Sequence, residues 1–139
     1  MDVFEHTTDI ASATVKAREL IASEVALQNK MWGDANERAD HTKGQMMMAA
    51  MAQIRAIDLH MHGAERQLAF DAARVSYYPA DWSGFRDYGS DIANLVVAAA
   101  YIEQEIKRRL ILGEPSHRSA RRPDQPYVPA TGLPNKVEA

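Results

Sequence analysis

The sequence predicts an all-α protein, an antiparallel bundle of three to five helices followed by a proline-rich, extended or disordered C-terminal tail. Three observations predict it. Apolar residues recur at three- and four-residue spacing over long stretches, which places them on one face of a helix. Alanine fills many of the positions between them, and it is the strongest helix former. Glycine and proline gather at the ends of these stretches and beyond them, where they stop helices. A chain of 139 residues with 46% apolar content has room for one domain with one modest core. The helical domain is expected over residues 1–113 and the tail over 114–139.

The first helix is read from Thr8 to Met31. Ile10, Ala13, Ala17, Leu20, Ile21, Leu27 and Met31 make its apolar stripe, with Glu19, Glu24, Gln28 and Lys30 among them. Thr7, Thr8 or Asp9 can cap its start, and Gly33 supplies the permissive backbone that ends it. The second stretch begins near Asp40 to Thr42, whose side chains can accept bonds from the next turn, and runs to about Arg74. Gly63 is its one weak point, so a kink or a break is expected there. Five of the seven methionines lie between Met46 and Met61; at helical spacing among alanines they are expected to fill a core, with an adaptable binding surface as the other reading.

Between Val75 and Gly89 the run from Tyr77 to Phe85 has the proline, glycine and aromatics of a structured loop. It either folds over a pocket or plugs one end of the bundle. The last helix, from Ser90 or Asp91 to Leu112, is the most apolar: Ile92, Leu95, Val96, Ala99, Ile102, Ile106 and Leu110 make one stripe. Such a helix is central or lies in an oligomer interface. Lys107, Arg108 and Arg109 suit the negative pole of its dipole, and Gly113 followed by Pro115 stops it. Five of the six prolines then fall between Pro115 and Pro134, without apolar periodicity, as in an extended tail or a docking arm.

Composition narrows the chemistry. The chain has no cysteine, which removes disulfides, thiolate nucleophiles and cysteine-ligated metals. Any metal must be held by oxygen or imidazole. A net charge of -3 offers no general attraction to phosphate backbones, and no basic patch precedes residue 107, so there is no strong nucleic-acid signal. No stretch approaches the ~20 apolar residues of a membrane span, and the N-terminus lacks a basic region followed by an apolar run. The expected location is cytoplasmic, away from any membrane.

Acids facing one another across a bundle can hold Mg²⁺, a hard cation that prefers carboxylate oxygens. Glu24, Asp40, Asp87 and Asp91 are the candidate metal ligands, and Glu19 and Glu37 are further acids of the same regions. Asp87 and Asp91 stand four apart and share a face if the helix has already begun, although capping and dipole compensation explain Asp91 as well. Glu24, Asp40 and His41 are the candidate catalytic groups, His41 because it titrates near neutral pH. Gln28, Trp32, Gln45 and Trp82 are the candidate ligand-binding residues, the tryptophans as stacking surfaces for a base. The cluster Asp58-Leu59-His60-Met61-His62 reads as a surface feature, because His60 points away from the face shared by Asp58 and His62. There is no phosphate-binding glycine loop, nucleophile elbow or paired-histidine zinc motif.

The pattern Glu24-x3-Gln28-x3-Trp32-Gly33, then acids, then His41-Thr42-x-Gly44-Gln45 and an alanine-rich helix, resembles a group of small bacteriophage proteins. Asp81-Trp82 through Asp91-Ile92 to Glu103-Gln104-Glu105-Ile106 is similar to the closing helix of that group. The resemblance covers roughly residues 17 to 110. Those proteins in turn distantly resemble the MazG-type all-α nucleoside triphosphate pyrophosphohydrolases, which use acidic helix motifs to hold Mg²⁺ and cut between the α and β phosphates. The resemblance implies an acidic pair at Asp87 and Asp91 and a role for Gln45 near the first acidic motif. Gln45 stands where a glutamate is expected after Gly44, and no Glu-Glu-x-x-Glu motif is present. A neutral amide is a weaker Mg²⁺ ligand than a carboxylate.

Two functions are expected from these readings. One is a phage-type nucleotide-binding protein, or a Mg²⁺-dependent nucleoside triphosphate pyrophosphohydrolase with a degenerate acidic motif. The other is a non-catalytic homo-oligomer that binds a host or viral partner or sequesters a small ligand.

Overall fold

A computed structural model describes residues 8–32, 44–118, 124 and 126. Among them the chain forms four helices and no strand: α1 (Ile10–Trp32), α2 (Gln45–Met61), α3 (Arg66–Tyr77) and α4 (Asp91–Ile111). The all-α class is as expected. None of these helices is long and apolar enough to cross a membrane. The predicted stop at Gly33, the predicted start at Asp40 to Thr42 and nearly all of the proline-rich segment 123–134 lie outside the described residues.

Side chains set the helix starts. Asp9 Oδ1 accepts a bond from the Ser12 amide at 2.8 Å, opening α1. The Glu65 carboxylate accepts from the Leu68 amide at 3.0 Å, and Ser90 Oγ from the Ala93 amide at 3.0 Å, opening α3 and α4. Gly63, with φ at 109°, takes the left-handed backbone that a side chain would resist, so the second stretch breaks into α2 and α3 where its weak point stands.

The order of contacts gives the helix directions. Met47 of α2 meets Arg109 of α4, whereas Gln53 meets Asn94, so α2 and α4 run antiparallel. Leu20, Ser23 and Glu24 of α1 lie opposite residues 90–97, and Asn29 reaches Gln104, so α1 and α4 run parallel. Arg66 at the start of α3 reaches Asp91 at the start of α4. Loop 78–90 therefore carries the chain back along the bundle before α4 begins.

The main core lies between α2 and α4. Met46, Ala49, Ala50 and Ala52 pack with Val97, Ala98, Tyr101 and the loop residue Tyr78, while Ala56, Phe70 and Ala73 form a smaller cluster between α2 and α3. Alanine on both helices lets their backbones approach closely. Tyr77, Trp82, Phe85 and Tyr88 pack against the main cluster, which gives the aromatic loop the role of a plug. The methionines divide: Met46 is buried, and Met47, Met51 and Met61 are exposed. Filling the core is thus the task of Met46 and the alanines rather than of the whole methionine run. α1 is held by little, with only Val25 and Gln28 buried and residues 11–19 all exposed.

Candidate functional site

A cleft beside the predicted residues runs between α1 and α4. It has a volume of about 470 Å³, within the size range of small-ligand pockets. Leu20 and Leu27 form one wall, Ile92, Val96 and Val97 the other, and Ser23, Glu24, Tyr88 and Ser90 supply polar groups. The first turn of α4 contributes Ile92 and Ala93, so the positive end of that helix dipole borders a cleft that also holds a carboxylate. An apolar slot with a few hydroxyls, one carboxylate and a helix N-terminus can orient a ligand that has both an apolar face and polar or anionic groups.

Glu24 and Gln28 are brought together as their spacing predicts: Gln28 Nε2 donates to Glu24 Oε2 at 3.4 Å. Gln28 is fully buried, whereas Glu24 is partly exposed at the cleft. Gln104 of α4 is also fully buried and donates to Asn29 Oδ1 at 2.8 Å. The α1–α4 contact is therefore lined with amides rather than sealed by leucines, and the Oε1 atoms of both glutamines are buried without a hydrogen-bond partner among the described residues.

Trp32 and Trp82, far apart in sequence, converge on one residue that sequence reasoning did not single out. Trp32 stacks on Tyr101 with centroids 6.4 Å apart, and Trp82 meets the same ring at 6.3 Å. Burial raises the Tyr101 hydroxyl above its ordinary value, and the nearby Tyr78, Tyr88 and Glu24 raise it further. It stays protonated at physiological pH. Trp32, at the end of α1, keeps 48% of its surface exposed.

Asp87 and Asp91 are also brought together, by a partner that their spacing does not reveal. Asp87 precedes α4, so the two acids do not share a helical face. Arg66 bridges them: it forms a bidentate pair with Asp87, one arm of which spans 2.9 Å, and donates to Asp91 at 3.1 Å. Asp87 Oδ1 further accepts from Asn94 Nδ2 at 3.0 Å and from the Gly89 amide at 2.9 Å. The Arg66 bonds, with help from Asn94 and Gly89, hold the Asp87 carboxyl well below the usual carboxylate range. Asn94, itself fully buried, accepts the Tyr88 amide at 2.8 Å and ties the loop to α4. This knot positions Tyr88, and through it one rim of the cleft.

Among the described residues, no group of three or more Asp, Glu or His side chains converges to hold a metal ion. The charge of Asp87 and Asp91 is met by Arg66, and Glu24 is the cleft's own carboxylate. The described donor set thus falls short of a carboxylate shell for Mg²⁺. Asp40 and His41, predicted to join Glu24, lie outside the described residues. Gln45 opens α2 and is half-buried. Asp58 and His62 pair at 3.2 Å on the surface, in keeping with a surface feature.

The missed residues carried a signal. Asn94, Tyr101, Gln104, Glu105 and Arg108 recur at helical spacing within the most apolar stretch of the chain. They form a second, polar stripe opposite the aliphatic one. Comparisons of the chain with family models, with curated proteins and with solved structures find no match.

Proposed function

We propose that the chain is an α-helical nucleotide-binding protein whose ligand occupies the α1–α4 cleft, in a homo-oligomer of the host cytoplasm if the chain is phage-encoded. The observation that carries this reading is the convergence on one cleft of Glu24, the hydroxyls of Ser23, Ser90 and Tyr88, and the N-terminal turn of α4. Exposed Trp32 stands near it, stacked on Tyr101. A nucleotide matches these groups: its base stacks on an indole, its ribose hydroxyls donate to a carboxylate, and its phosphates favour a helix N-terminus. The resemblance to the phage proteins and to the MazG type favours the same ligand class.

The enzymatic form of the proposal is a Mg²⁺-dependent nucleoside triphosphate pyrophosphohydrolase. It requires more than the described residues supply, namely Asp40 or other oxygens beside Glu24. Thermal-shift titration with deoxynucleoside triphosphates, with and without Mg²⁺, tests binding, and pyrophosphate release tests turnover. The expected result is a saturable, Mg²⁺-dependent rise in melting temperature that Glu24→Gln weakens at least tenfold in apparent affinity. Absence of any shift across the panel rejects nucleotide binding. A shift without pyrophosphate release leaves a binding protein and rejects the enzyme.

A second reading, a non-catalytic oligomer that binds a protein partner or sequesters a small ligand, is favoured by one observation. The aliphatic stripe of α4 faces outward. A nucleotide panel without effect, combined with stable self-association, selects this reading.

A further inference from the structure

The face of α4 turned away from the bundle is its most apolar one. Ile92, Leu95, Ile102, Ile106 and Leu110 are between 42% and 66% exposed, whereas the face against α2 and α1 buries Asn94, Gln104, Glu105 and Arg108. A surface helix on its own keeps its polar face toward water. Here that order is reversed. Ile92, Leu95, Ala99, Ile102 and Ile106 also follow one another at steps of 3, 4, 3 and 4 residues, the heptad pattern of a seam that packs knobs into holes against another helix.

We propose that this α4 face is a homodimer interface filled by a second copy of the chain, with the two α4 helices antiparallel about a twofold axis near Ala99 and Ile102. Area supports a second copy: burying the exposed aliphatic side chains of two such faces removes on the order of 1,000 Å² from water, which reaches the threshold of a specific interface. Shape gives the register, for an antiparallel seam opposes Leu95 to Ile106 and small Ala99 to Ile102, each contact made twice. The proposal goes beyond nucleotide binding and does not depend on it.

The test uses the full chain, whose lack of cysteine makes introduced thiols unambiguous reporters. Sedimentation equilibrium is expected to give twice the 15.5 kDa chain mass. The double variant Leu95→Lys/Ile102→Glu is expected at the single-chain mass with unchanged helical circular dichroism. On oxidation, a Leu95→Cys/Ile106→Cys protein is expected to form a disulfide-linked dimer, whereas Leu95→Cys alone does not. A wild-type protein that stays monomeric at the highest concentration reached in the centrifuge overturns the proposal. So does a dimer that survives Leu95→Lys/Ile102→Glu. Cross-linking through Leu95→Cys alone, or none in the double cysteine variant, overturns the antiparallel register.

Discussion

Asp87 shows how one side chain can join three parts of the chain. It receives Arg66 from α3, Asn94 from α4 and the Gly89 amide of its own loop. Its carboxyl is held below the usual range chiefly by Arg66, and Glu105 is likewise lowered by the buried Arg108 beside it. Both groups are less acidic in the unfolded chain, where carboxyls titrate near pH ~4. Their contribution to stability is therefore complete above that value and is lost as pH falls through the lower folded values. Urea unfolding followed from pH 7 to pH 3 is expected to show a falling midpoint below about pH 4.5, the upper edge of unfolded carboxyl titration. Asp87→Asn is expected to lower the midpoint at pH 7 and to flatten its pH dependence. An unchanged slope in Asp87→Asn removes Asp87 from this account. The sequence marks Asp87 and Asp91 as acids worth naming, yet it hides Arg66. That partner sits 21 and 25 residues away, and no local spacing rule connects them.

At the scale of the element, helix limits were legible and helix orientation was not. α4 runs Asp91–Ile111 where the pattern predicts Ser90 or Asp91 to Leu112, and the break between α2 and α3 falls at Gly63. Caps and glycines act locally, so their effect can be read locally. Which face of α4 turns inward is set by α2, whose Ala49, Ala50 and Ala52 let the two helices approach closely around Val97, Ala98 and Tyr101. Ala98, 1% exposed, has no room to spare at that contact. Ala98→Leu is accordingly expected to destabilise the fold by about 1–3 kcal/mol through overpacking. Thermal unfolding measures it, and an unchanged melting temperature contradicts close α2–α4 packing. The polar stripe of α4 follows the same logic: Glu105 and Arg108 are buried together as a bidentate pair at 3.0 and 2.8 Å, so neither is left uncompensated inside.

The described residues form an α2–α3–α4 body with α1 laid along α4. Two buried residues and a row of amides hold α1, and the cleft opens where its packing is thinnest. That arrangement places Glu24 at a boundary that a ligand can complete. The candidate residues were visible as chemistry, since Glu24, Trp32 and Trp82 could be named from residue type alone. Their meeting point at Tyr101 was not, because it arises from α1 and loop 78–90 reaching the same helix from different sides. The function rests on a nucleotide entering the α1–α4 cleft, with its ribose hydroxyls at Glu24 and its phosphates toward the start of α4. Crystals soaked with a deoxynucleoside triphosphate and Mn²⁺, and measured for anomalous scattering, test this. The expected result is nucleotide density between Leu27 and Val96, with the ribose against the Glu24 carboxylate. An empty cleft, or manganese bound only at Asp87 and Asp91 with Arg66 displaced, would contradict it.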